Sequence, residues 1–290
     1  MYDRITKKTA FYAGGGAIGG ALGEIISELF AFNEATDSFI ECLVHTAIWM
    51  GVIGFGVSIS LLVALGIYLR KTPNWQSLVK AALIGAGAGA VAGGLAQFIY
   101  SFALAEIGKF GLLPRVIQAL CWGLAGLGLG LGVSLFTPNY SALKAILAGF
   151  AGGAIGGAIF LLSGAFLPET ISRIAGIAIL GATIGLTISA VEEILREAWL
   201  TIIWGKNETS SVSLGQKPVT LGSSSEADIR LPRKKYPPVT AVISVENGKV
   251  ILDNRLSNQR VALPNGSKIS MGTIGVIINI RKSGIDRKER

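Results

Sequence analysis

The sequence predicts an α-helical polytopic membrane bundle followed by a small all-β domain, and three observations carry that prediction. Charge is scarce: 15% of the 290 residues are Asp, Glu, Lys or Arg and 51% are hydrophobic, where a soluble domain carries about a quarter charged residues. The deficit is uneven, because residues 1–204 are strongly apolar and hold most of the 39 glycines, whereas 205–290 reads as an ordinary soluble sequence. Near Trp204 the pattern also changes, from long apolar stretches to short alternating runs bounded by turn residues. Two domains follow: a transmembrane domain over 1–204 and a β domain over 205–290.

A bilayer core takes about 20 apolar residues per helix. Six stretches meet that length, at 9–31, 43–69, 79–104, 115–136, 143–166 and 171–191. The basic opening MYDRITKK leads into the first of them with more spans behind it, which reads as a first membrane helix and not a cleaved signal. The spans repeat. Thr72-Pro73-Asn74-Trp75 answers Thr137-Pro138-Asn139-Tyr140, each followed by a Lys and a glycine-rich helix, and Gly14–Gly20 carries the same core. Trp49 with Gly51, Gly54 and Gly56 matches Trp122 with Gly123, Gly126, Gly128 and Gly130, while Gly176, Gly181 and Gly185 mark a weaker copy. Three tandem glycine-rich hairpin repeats are the simplest reading.

The glycines are expected to pack helices. Lipid tails are as apolar as leucine, so membrane helices associate by close approach over small residues. Gly16 and Gly20, Gly85, Gly89 and Gly93, Gly126 and Gly130, and Gly149, Gly153 and Gly157 each put a smooth stripe on a helix. Such stripes serve within one chain or between copies in a homo-oligomer, and they argue against a wide pore in one protomer. The run Gly85–Ala90 lies inside an apolar span, without the strand and acid of a dinucleotide loop.

Short-loop charges set the orientation. Arg4, Lys7 and Lys8, then Arg70, Lys71 and Lys80, then Lys144, then Arg196 and Lys206 fall on one side, which predicts both termini in the cytoplasm. Residues 192–205 (EEILREAWLTIIWG) read as an amphipathic extension of the last span, with Trp199 and Trp204 at the headgroups. The net charge of +8 is that of basic flanks beside apolar helices and of the tail Arg281–Arg290. No nucleic-acid module accompanies it.

From Ser210 the runs VSLG, PVTLG, DIRL, TAVISVENGKVILDN, QRVALPNGSKI and GVIINIRK predict a β-sandwich, with a hairpin turning at Asn247-Gly248. The segment Leu221-Gly222-Ser223-Ser224-Ser225-Glu226-Ala227-Asp228-Ile229-Arg230-Leu231 carries a further signal. With the hairpin, Leu252-Asp253, Ser257-Asn258, Pro264-Asn265-Gly266 and Met271-Gly272 in that order, it resembles a forkhead-associated (FHA) domain over residues 210–282. The resemblance implies a sandwich that recognises phosphothreonine peptides through loops at one end. The arginine that the family usually places after the first glycine is Ser223 here, and its next-loop serine and histidine align with about Pro237 and Thr240. The family's peptide-holding asparagine falls on Asn258 or Gln259. A phosphate dianion needs several strong donors, so Ser223, Ser224, Arg230, Arg233, Lys234, Lys235 and Asn258 form the candidate partner site.

Other chemistry is sparse. His45 is the single histidine, Cys42 and Cys121 lie in apolar stretches, and no Ser/His/Asp set or zinc spacing is present. No metal, cofactor or enzymatic activity is expected. Glu24 and Glu28 stand one turn apart, near the outer end of the first span, where they meet headgroups or pair with another helix; an ion pathway is the sharper alternative. Gln97 and Gln118 suit interhelical hydrogen bonds, and Glu192 and Glu193 are expected to meet Lys or Arg. The leading function is a membrane-anchored binding or scaffold protein that recruits a cytoplasmic protein, with phosphoproteins among the candidates. The alternative is a transporter or channel component regulated by the β domain.

Overall fold

The computed structural model describes residues 2–30, 38–108, 111–136, 139, 141–163, 166, 168–206, 208–215, 217–232, 235–271 and 274–281. Six helices come first: α1 (Tyr2–Leu29), α2 (Phe39–Tyr68), α3 (Trp75–Ile107), α4 (Leu112–Phe136), α5 (Ala142–Ser163) and α6 (Glu169–Leu195). Among the described residues nine strands follow: β1 (Ala198–Gly205), β2 (Glu208–Leu214), β3 (Val219–Gly222), β4 (Ile229–Arg230), β5 (Ala241–Glu246), β6 (Lys249–Asn254), β7 (Gln259–Leu263), β8 (Lys268–Met271) and β9 (Ile274–Ile280).

Local chemistry sets several helix ends. Ser38 caps α2 by accepting from the Glu41 N–H at 3.4 Å, and Asn74 caps α3 by accepting from the Ser77 N–H at 2.7 Å. α2 ends in a Schellman turn, where Lys71 N–H donates to Gly66 O and Arg70 N–H to Ile67 O, with Arg70 at φ 54°. Pro73 follows and stops the helix from continuing.

Each helix packs on its neighbours in sequence, and α1 closes on α6. The even-numbered helices furnish most of the central apolar cluster. Ile53, Val57 and Leu61 of α2, Ala125, Leu129 and Val133 of α4, and Leu180, Ile184 and Ile188 of α6 are almost wholly buried. The predicted packing glycines face neighbouring backbones. A Cβ on Gly16 would strike the Gly181 carbonyl oxygen, and one on Gly20 would lie 2.5 Å from that of Ile177. Added carbons on Gly85, Gly89, Gly126, Gly130, Gly149 and Gly153 would meet carbonyl oxygens of Gly54, Met50, Gly149, Ala145, Gly126 and Trp122 respectively. Gly93 and Gly157 instead seat the side chains of Met50 and Trp122. Outward faces are apolar, as at Leu83, Val91, Leu95, Leu147 and Ile155.

Two expectations change. Five helices, α2 to α6, are long and apolar enough to cross a membrane. α1 is not among them: its apolar middle is rich in glycine and carries Glu24. The segment after 192 is also not an amphipathic helix. α6 stops at Leu195, and 198–205 is strand β1, hydrogen-bonded to both β2 and β9. The β unit therefore begins at Ala198, ahead of the expected residue 205. The apolar run AWLTII that suggested headgroup contact instead places Leu200 and Ile202 in the sandwich core at 0% exposure.

The strands make two sheets, ordered β2-β1-β9-β8 and β4-β3-β5-β6-β7. Alternation puts Val219, Leu221, Ile229, Ala241, Ile243 and Val250 of one sheet against Leu200, Ile202, Val212, Val276 and Ile278 of the other. The β5–β6 hairpin turns at Asn247 and Gly248, both at positive φ, as the Asn-Gly signal requires. The fold therefore ends in the β-sandwich expected from the alternating runs.

Gly126→Val should lower the melting temperature of the detergent-solubilised chain, costing at least the ~1–3 kcal/mol of an overpacked core, because the obstacle is the Gly149 backbone. Gly87→Ala, with nothing within 4 Å of the new carbon, should be neutral or stabilise by up to ~1 kcal/mol. Similar losses from both would contradict this packing.

Candidate partner-binding site

The sandwich sits on the bundle through one side, that of β2 and the β3–β4 connection. β2 is the edge of its sheet, and an open edge needs cover. Tyr68, the last residue of α2, supplies much of it: its hydroxyl accepts from the Ser211 N–H at 2.8 Å, and its carbonyl accepts from Ser210 Oγ at 2.6 Å. Arg70, held in its left-handed turn, pairs with Glu208 and lies over the Trp204 ring. Asn139 bridges to the strand end, donating to Ser213 O and Lys217 O and accepting from the Lys217 N–H at 2.9 Å.

Charge locks the junction. Lys8 Nζ of α1 lies 2.7 Å from Glu192 Oε1 of α6, their side chains 2% and 7% exposed. Ser213 Oγ of β2 donates to the same Oε1 at 2.8 Å. Next to this pair, Arg196 binds Glu193 and Ser211 and stacks 4.3 Å from the Trp199 ring centroid. Burial pulls the Arg196 guanidinium below its ordinary value, and the Glu193 and Glu192 carboxylates oppose that pull. Glu192 and Glu193 thus meet Lys and Arg as expected, but inside a contact between bundle and sandwich.

The opposite end of β3 is built by three connections. Ser223 N–H donates to Pro237 O at 3.0 Å, Ser224 N–H to Pro238 O at 3.2 Å, and Thr240 N–H to Leu221 O at 2.7 Å. Gly222 is required here, because a Cβ would run into the Pro238 carbonyl. The β6–β7 turn joins them, Arg255 N–H donating to Thr240 O at 3.0 Å, with Asn258 in the left-handed region at φ 52°. Ser223, Ser224 and Asn258 therefore lie on the connections of one end of the sandwich, with Arg230 in β4 beside Gly222. Lys235 is exposed on the β4–β5 connection, while Arg233 and Lys234 lie outside the described residues.

Two residues that the resemblance aligns with the family's working positions are not open to a ligand. Thr240 is wholly buried and Ser223 is 8% exposed. Arg255 is exposed on the β6–β7 turn. The sequence reading missed it, although it stands three residues before Asn258.

The remaining polar candidates sit in the bundle. Glu24 is fully buried and pairs with another helix as expected, its Oε2 accepting from Trp49 Nε1 of α2 at 2.7 Å. Glu28 pairs with Arg173 of α6 at 2.6 Å. Gln97 donates to Cys42 across the α2–α3 contact. Gln97 and Gln118 share a cavity of about 160 Å³ with Trp49, Trp122 and Phe160. Among the described residues no cluster of three metal-ligating side chains occurs.

A two-sheet sandwich carrying these motifs in this order makes the C-terminal region FHA-like, joined here to a helical bundle. No protein-family model matches the chain and no curated protein matches it. Among solved structures the chain is similar to one described as "Structural and functional analysis of phosphothreonine-dependent FHA domain interactions". That match has 17% identity and a TM-score of 0.26, and it covers 29% of this chain and 99% of the other. It is also similar to "Mycobacterium tuberculosis EmbR in complex with low affinity phosphopeptide", at 11% identity and a TM-score of 0.26, over 94% of this chain and 71% of that one.

Lys8→Met should destabilise the chain by ~3–5 kcal/mol, the effect of leaving a buried carboxylate without its partner. The double change Lys8→Met/Glu192→Met should recover most of that loss. Thermal unfolding of the two variants in detergent checks both, and additive losses would contradict the coupling.

Proposed function

We propose that this chain is a membrane-anchored binding protein that holds an FHA-like sandwich at the cytoplasmic surface, where its three-loop end recruits a protein partner. The observation that carries the reading is the division of the sandwich. Its β2 edge and, at Glu226, the β3–β4 connection meet the bundle, while the β4–β5 and β6–β7 connections stay exposed at Lys235, Pro237, Pro238 and Arg255. Among the described residues that end carries Arg230, Lys235 and Arg255, so the fitting partner segment is anionic, a phosphothreonine segment being the form the resemblance implies. Holding such a domain on a membrane raises its effective concentration toward other membrane-bound partners.

All six helices cross the bilayer on this reading. Although α1 carries charges, Lys8 and Glu24 face inward at 2% and 0% exposure, and its outer face is Phe11, Ile18, Leu22 and Ile25. Both termini are then cytoplasmic, as the basic loops favour, and the three glycine-rich hairpins act as one compact anchor. The filled axis, with Val57, Leu129 and Ile184 each at 0% exposure, supports an anchor over a conduit.

The test is binding of the full chain in lipid nanodiscs to a phosphothreonine peptide library with unphosphorylated twins. Phosphorylated peptides should bind at least about tenfold tighter than their twins, and Arg230→Ala/Lys235→Ala/Arg255→Ala should remove the difference. Equal binding of the twins would reduce the site to phosphate-independent docking. Failure of every peptide to bind would contradict the proposal.

A further inference from the structure

An aromatic cavity lies inside the bundle, away from the sandwich. Its volume is about 160 Å³, and residues of α2, α3 and α4 wall it together with Phe160 of α5. Trp49 of this wall precedes Tyr68, where α2 meets the sandwich, by about five helical turns. Trp49, Tyr100, Trp122 and Phe160 line the space, and three of these rings meet edge to face. Trp49 and Trp122 have centroids 5.7 Å apart, and Trp122 and Phe160 5.5 Å. The Trp49 N–H is committed to Glu24, so that side chain offers the cavity an apolar ring.

The polar groups on the wall are amides and a phenol. Gln97 Nε2 donates to Cys42 Sγ at 3.3 Å and to Ser101 Oγ at 3.0 Å. Both amide hydrogens are thereby used, and the carbonyl Oε1 is left to accept. The side chains of Gln118 and Tyr100 form no hydrogen bond with any described residue. All three side chains keep partial exposure, and none holds an unpaired atom sealed from water, so a ligand can reach them. No charged side chain lines the cavity among the described residues.

These features select the occupant. An ion entering would lose its hydration with no opposite charge on the wall. Water would answer the amides but gain nothing from four rings. A plain hydrocarbon would fill the rings and leave the amides without partners, which is costly in an apolar bundle. The space suits one substituted six-membered ring, since a cavity of about 150 Å³ holds benzene.

We propose that this cavity binds an uncharged aromatic carboxamide, its ring packed among Trp49, Tyr100, Trp122 and Phe160. Its amide donates to Gln97 Oε1 and exchanges hydrogen bonds with the Gln118 amide. The binding is non-covalent and moves no proton. The site is remote from the loop end and does not rest on partner recruitment, so ligand binding and peptide binding fail separately.

Isothermal titration calorimetry of the full chain in lipid nanodiscs tests it, with empty nanodiscs as the blank for partition into lipid. The probes are benzamide, benzoate, toluene and tetramethylammonium. Benzamide should bind saturably and at least about tenfold tighter than each of the others. Gln118→Leu should erase its margin over toluene, and Ala96→Leu, which fills the cavity, should remove its binding. Should either variant fail to fold, the comparison of probes on the unaltered chain decides. Toluene binding as tightly as benzamide would overturn the carboxamide assignment, and benzoate or tetramethylammonium doing so would overturn the uncharged class. Benzamide binding that survives in folded Ala96→Leu, or no saturable binding of any probe, would overturn the site.

Discussion

The ion pair between Lys8 and Glu192 joins the first helix, the last helix and, through Ser213, the first hairpin of the sandwich. A buried pair of this kind contributes little net stability but strongly penalises any arrangement that separates its members. Its effect is therefore one of specification. α1 must close on α6, α6 must end where it does, and β2 must lie against that end. Arg196 extends the same logic, tying Glu193 to Ser211 one turn further on.

Everything below the pair is close packing. Carbonyl oxygens of one helix fill the space where a Cβ would be on the next, as between Gly16 and Gly181 and between Gly126 and Gly149. That leaves the even helices to fill the axis with Ile, Leu and Val. The bundle is then a solid platform, and the sandwich is an element of it with a fixed side and an exposed end. A Thr-Pro-Asn motif occurs twice with different uses. Asn74 caps α3, whereas Asn139 reaches across to Ser213 and Lys217 and braces the sandwich.

Much of this was legible in the sequence, for physical reasons. Apolar length marks α2 to α6, alternation marks the strands, and Asn247-Gly248 marks its hairpin, because each pattern follows from one local constraint. The fate of 198–205 was not legible: AWLTIIW suits a headgroup helix or a buried strand, and only pairing with β2 and β9 decides. α1 falls outside the apolar-length pattern of the other five helices, and only the fold shows that its Lys8 and Glu24 face inward. The loop end was half legible. Leu221-Gly222-Ser223 locates it, but the burial of Ser223 and Thr240, and the place of Arg255 beside them, come from contacts between distant strands.

The central claim is that bundle and sandwich form one body through the buried charges. Double electron–electron resonance between spin labels at Ala142→Cys and Lys249→Cys, in nanodiscs and with Cys42 and Cys121 replaced by Ser, tests it most directly. A single narrow distance distribution that broadens on Lys8→Met is the predicted result. A broad distribution in the parent chain, or one that Lys8→Met leaves unchanged, would contradict the account.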